Sequence, residues 1–214
     1  MKTEVEFEPI EQLFKKQTSK RLLIEAFQLI LNKESRLSII IVFIVCLLPS
    51  ILISTSSDTI NLTSNVVDKI NDVMLALFGV IFTGYAFFQA LINKEFLIWM
   101  LGSEDSNQKN GEEIKKTRLQ ITNEYFVHVM LLQGFSIFIS VFLIITLGAI
   151  PEDWCLFKIN IINEIIAFCL LQCYLVFNFL IIWELKSFVF NIFLLFNAHA
   201  GATVLSLFDD DKEE

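Results

Sequence analysis

The sequence predicts an all-α membrane protein with four transmembrane helices, both termini in the cytoplasm, and helical extensions on that side. Three observations predict this. Apolar residues make up 55% of the 214 and mean hydropathy is +0.63, above the roughly 45–50% apolar share of soluble domains. Four stretches have the roughly 20 apolar residues that cross about 30 Å of hydrocarbon: residues 37–55, 73–92, 125–150 and 161–183. None of them contains Lys, Arg or Asp. The third observation is the distribution of positive charge. Grouped by side, 14 of the 16 Lys and Arg fall before the first span, between the second and third, or after the fourth. Positive charge gathers on the cytoplasmic side.

Residues 1–36 form a cytoplasmic amphipathic segment. Pro9 suits the first turn of a helix, and Leu23, Ala26, Phe27, Ile30 and Leu31 share a face. Lys15, Lys16, Lys20 and Arg21 form a basic cluster, which suits anionic lipid headgroups under the inner leaflet. The first apolar run begins at Leu37, later than the core of a cleavable signal peptide.

Residues 37–183 form the membrane domain, with residues 94–124 as its cytoplasmic loop. Within the second span Ala76, Gly79, Thr83, Ala86 and Ala90 recur at alternating spacings of three and four. Small residues let helix backbones approach closely in lipid, so this row predicts packing within one bundle or between subunits. The third span carries Gln133, Ser136 and Ser140, and the fourth carries Gln172 and Asn178. Such groups are poorly placed against lipid tails. Interhelical hydrogen bonds are one explanation and the lining of a water-filled pore is the other. In the loop, residues 96–101 extend the second span, and residues 112–124 are expected to be helical and to run into the third. The outer loops, "SSDTINLTSNVVDK" and "PEDWCLFK", are short.

Residues 184–214 form a cytoplasmic helix and an acidic tail. The apolar run from Leu170 to Phe208 is too long for one crossing, yet no Gly, Pro or Asn cluster breaks it near Glu184. One helix therefore leaves the membrane at Trp183–Lys186 and continues. Leu185, Phe188, Phe193 and Phe196 follow a helical rhythm; the extension either lies on lipid as an interfacial helix or is a stalk whose apolar residues offer an interaction surface to other subunits or a partner, with Gly201 as the expected stop.

Several chemistries are not expected. The net charge of −8 argues against direct nucleic-acid binding, which needs a basic face. No zinc spacing occurs among Cys46, Cys155, Cys169 and Cys173, and paired Cys169 and Cys173 read as small buried hydrophobes. No hydrolase constellation, P-loop or metalloprotease motif occurs, so neither enzymatic activity nor a cofactor is expected.

The layout is a charged helical N-terminus, "LFGVIFTGYAFFQALINKEFLIW" as second span and exit, a Lys/Glu-rich internal loop and a short tail. It resembles the small four-span membrane proteins of bacterial anti-phage systems, such as the membrane subunit of Kiwa. The resemblance lies in architecture and covers most of the chain. It implies a homo-oligomer in the bacterial inner membrane that works with a cytoplasmic partner acting on nucleic acid. The function expected is that of a non-enzymatic subunit that senses membrane disturbance or positions the partner. The alternative is a small homo-oligomeric pore gated from the cytoplasm, lined by Gln172, Asn178 or Ser136.

The charge asymmetry makes a topology prediction. A phosphatase that needs export should be inactive when fused after Glu214 or within residues 103–116, and active when inserted after Ser57. A fluorescent protein that folds only in the cytoplasm should show the reverse.

Overall fold

A computed structural model describes residues 18–31, 36–102, 117–151 and 154–210, with side chains through Val204. The described residues are helical, without strands. The elements are α1 (Ser19–Leu31), α2 (Arg36–Ser54), α3 (Thr59–Leu91), α4 (Lys94–Gly102), α5 (Arg118–Ala149) and α6 (Asn160–Asp210). Helices α2, α3, α5 and α6 are each long and apolar enough to cross a membrane.

Helices α2 and α3 meet in a turn of four residues. Thr59 closes it, its hydroxyl donating to the Ser56 carbonyl at 2.7 Å. At the same end of the bundle Asn163 holds the connection into α6, donating to Phe157 O at 2.8 Å and accepting from Phe157 N–H at 2.9 Å. Helix α3 therefore begins fourteen residues before the apolar window that starts at Val73, and most of the expected outer loop is helix. It ends at Ile92. Asn93 starts α4 by accepting the Phe96 N–H at 2.8 Å, the capping geometry Asn favours. The second span is thus broken from its extension. Thr117 and Gln120 form a reciprocal capping box at the start of α5. The helix expected from residue 112 begins at Arg118, and residues 112–116 lie outside the described residues.

Helix α6 is continuous. At 1.5 Å per residue its 51 residues reach about 75 Å. It passes Trp183 and Lys186, whose ammonium lies 4.9 Å from the indole centroid. It also passes Gly201, which does not stop it.

Helix α2 packs on α6, α3 and α1 on α5, and α4 on the far half of α6. The core has two parts. One gathers Val42, Cys46, Val67, Met74, Leu132, Leu171 and Ile181 toward the hairpin end. The other gathers Ile81, Phe88, Phe96, Met100, Phe126, Phe188 and Leu195 at the opposite end. Phe88 stacks on Phe126 at 5.5 Å, and Phe188 meets Phe126 edge-on at 5.5 Å. Helix α1 does not reserve its apolar face for lipid. Ala26 and Ile30 are buried, and Phe27 lies against Phe135 and Phe177. Leu31 falls outside that face and is exposed.

One glycine sets the crossing of α3 and α6. A Cβ at Gly84 would lie 2.6 Å from Phe188 Cζ and 2.7 Å from Ile192 Cδ1. Overpacking of this kind costs about 1–3 kcal/mol. Gly84→Leu is therefore expected to lower the thermal midpoint of the detergent-solubilised protein by several degrees. Gly134→Ala, with no neighbour within 4 Å, should leave it unchanged or raise it.

Candidate functional site

Five polar residues singled out in the spans, Gln133, Ser136, Ser140, Gln172 and Asn178, are all buried within one chain. Three of them meet in a ladder between α5 and α6. Ser136 Oγ donates to Asn178 Oδ1, and Asn178 Nδ2 returns to the Tyr174 carbonyl at 2.8 Å. One turn further along α5, Ser140 Oγ donates to the Ser136 carbonyl at 2.9 Å and lies 2.8 Å from the Tyr174 hydroxyl. Because Ser140 has one proton and gives it to Ser136 O, the Tyr174 O–H supplies this second bond. Each helix contributes two residues four apart, which share a face. Antiparallel pairing then sets 136 against 178 and 140 against 174.

Gln172 works elsewhere, donating to the Phe43 carbonyl of α2 at 2.9 Å. Gln133 lies one turn from Ser136. Among the described residues, Gln133 Oε1, Gln172 Oε1, Ser50 Oγ and Asn71 Oδ1 are buried without a hydrogen-bond partner. Sequence reasoning missed Tyr174, Ser50 and Asn71. Tyr174 carried a usable signal, since it stands four residues before Asn178. Asn71 was hidden by its assignment to a loop. The ladder pairs Ser136, Ser140 and Asn178 inside a single bundle, and Gln172 is paired with α2.

The small-residue row behaves differently. Ala76, Gly79, Thr83, Ala86 and Ala90 are all exposed. The face of α3 that packs inside the chain carries Met74, Ile81, Gly84 and Phe88. Packing of the row within the bundle is therefore overturned. Thr83 satisfies its hydroxyl on the Gly79 carbonyl at 2.8 Å and needs no partner helix.

The surface expected on the α6 extension is divided. Phe188 is 2% exposed and belongs to the core, and Leu185 is half-buried. Phe193 and Phe196 are 59% and 54% exposed. On the opposite flank, Phe96 meets the His199 ring edge-on at 5.3 Å. Lys15 and Lys16 lie outside the described residues. Lys20 and Arg21 are exposed, and Arg21 Nε donates to Glu25 Oε1 at 2.7 Å. That bond raises the already high pKa of the guanidinium. Glu25 Oε2 also lies 3.6 Å from His128 Nε2, tying α1 to α5. Cys169 and Cys173 are exposed, contrary to their reading as buried hydrophobes. Among the described residues no three His, Cys, Asp or Glu side chains are grouped to hold a metal ion.

The ladder makes an energetic prediction. Interhelical hydrogen bonds in membranes average about 0.6 kcal/mol and reach about 1.7. A double-mutant cycle of Ser136→Ala and Asn178→Ala, read by equilibrium unfolding in mixed detergent, should give a coupling energy within that range. No protein-family model matches the chain, and no curated protein or solved structure shows similarity to it.

Proposed function

We propose that the chain is a non-enzymatic, multi-pass subunit of the bacterial inner membrane with both termini in the cytoplasm. It forms a homo-oligomer, and it senses membrane disturbance or positions a cytoplasmic protein partner. Its resemblance to four-span subunits of anti-phage systems supports this reading.

The observation that carries the proposal is the continuation of α6 beyond Trp183–Lys186. Trp and Lys are common anchors where a helix leaves hydrocarbon. Past them, one face of α6 is fastened by Phe188, Leu195 and Ala202, while Val189, Phe190, Phe193 and Phe196 stay exposed. A contiguous apolar face beyond the lipid marks an interaction site. Because the helix is anchored along its other flank, it presents that face as a rigid edge.

The test is purification of the full-length protein from its native host in mild detergent, followed by measurement of the mass and composition of the complex. A soluble protein is expected in stoichiometric amount. Phe193→Ser combined with Phe196→Ser should reduce its recovery at least tenfold without loss of membrane insertion. A homo-oligomer without any companion that conducts in discrete steps across planar bilayers would overturn the proposal in favour of a pore.

A further inference from the structure

Helix α2 is the shortest of the four candidate spans. Its 19 residues measure about 28 Å, roughly the thickness of the hydrocarbon core. Arg36 bounds its apolar run at one end and the turn after Ser54 bounds it at the other, so the membrane layer coincides with it. Helix α3 starts after a turn of four residues at the same end of the bundle, at Thr59. Its first five turns therefore run back through that layer.

Contacts further along the bundle agree. The Tyr85 hydroxyl donates to Asn123 at 2.9 Å, and Phe88 stacks on Phe126. Followed back along the antiparallel pair, this register sets residues 68–72 of α3 beside about residues 139–143 of α5, level with Ser140. Asp68 is indeed within electrostatic reach of Tyr174, the partner of Ser140. Asp68, Lys69 and Asp72 thus lie within the depth spanned by α2, although the hydropathy window leaves them in an outer loop.

All three are exposed. Elsewhere at this depth the outer faces are apolar, as with Ile44 and Leu48 on α2 and Phe138 and Phe142 on α5. Charged side chains in the membrane face a bundle interior or water and pair with one another. Within the chain, and among the described residues, no ion pair engages Lys69 or Asp72. Their place in the fold is also specific. The exposed row Ala76–Ala90 continues toward the hairpin end through Asp72, Lys69 and Asn65, in the same alternation of three and four residues. That mean period of 3.5 keeps one seam facing a partner helix along its length. The row carries both signs of charge one layer apart, so it complements itself. The four-carbon stem of a lysine can reach a carboxylate one layer away on a neighbouring copy.

We infer that α3 is the interface between copies of this chain. Lys69 of one copy pairs with Asp72 of the next, and Ala76, Gly79, Thr83 and Ala86 bring the backbones together along the rest of the seam. The inference deepens the homo-oligomer of the proposed function and rests on the membrane reading.

The experiment measures the mass of the full-length protein in nanodiscs or mild detergent. Wild type is expected to be oligomeric. Lys69→Asp and Asp72→Lys should each raise the monomer fraction at least tenfold, and the double reversal should restore the oligomer, which a folding defect would not. With the four native cysteines replaced by serine, Gly79→Cys should form a disulfide-linked dimer on oxidation, and Ile44→Cys should not. An oligomer that survives both single reversals, or that cross-links as well through Ile44→Cys, overturns the α3 interface and leaves the oligomer standing. A wild type that is monomeric, or whose α3 is covered by a different protein, overturns both.

Discussion

A polar group inside an apolar bundle must find its partner within the protein, and the α5–α6 ladder is where this chain meets that demand. Ser136, Ser140, Tyr174 and Asn178 exchange hydrogen bonds across the two helices and back to their own backbones. Removing one member leaves a donor or acceptor stranded in low dielectric, which costs more than the bond itself contributes. The two rungs stand one helical turn apart, so only one antiparallel register satisfies both. Gln172 then ties α2 to this pair, and the Tyr85–Asn123 bond ties in α3. The relative heights of the four long helices follow from these few contacts.

With the heights set, unequal lengths become architecture. Helix α2 ends near the level where α3, α5 and α6 are still continuing. The surplus of those three helices, joined by α4, builds a second core of stacked and edge-on aromatic rings around Phe88, Phe126 and Phe188. Gly84 admits Phe188 into that cluster because it has no side chain. Helix α1 closes the other flank through Phe27, and its Glu25 stands beside both Arg21 and His128. The extension of α6 is held by this packing, so the apolar residues on its free face are displayed at a constant angle.

Among the described residues, the exposed faces of α6 and α3 differ in physical character. On α6 the uncovered residues are large and aromatic, suited to burial against another protein. On α3 they are small in one half and charged in the other, suited to close approach between helices with compensation of charge. A charged residue near the middle of a bilayer is disfavoured by roughly 2.5–3.5 kcal/mol on insertion scales. The charged half of the α3 row is therefore the less tolerable of the two surfaces if left against lipid.

Much of the fold was legible in the sequence because hydropathy is a local, additive signal. Four apolar helices, the unbroken passage through Trp183–Lys186 and the need to satisfy Ser136, Ser140 and Asn178 all follow from residue type and spacing. Other features depended on which helix stands beside which. The window that began at Val73 followed hydropathy and missed the helical turns before it, because their polar residues resemble a loop when read alone. The row from Ala76 to Ala90 was visible, but its direction was not: spacing defines a face, and only the packing of Met74, Ile81 and Phe88 turns that face outward. The same holds for Phe188 and Phe193, neighbours in one rhythm that the tertiary structure sends to a core and to the surface. Sequence determined the helices and their polar obligations; tertiary structure decided their heights and facings, because those depend on contacts between residues far apart in the chain.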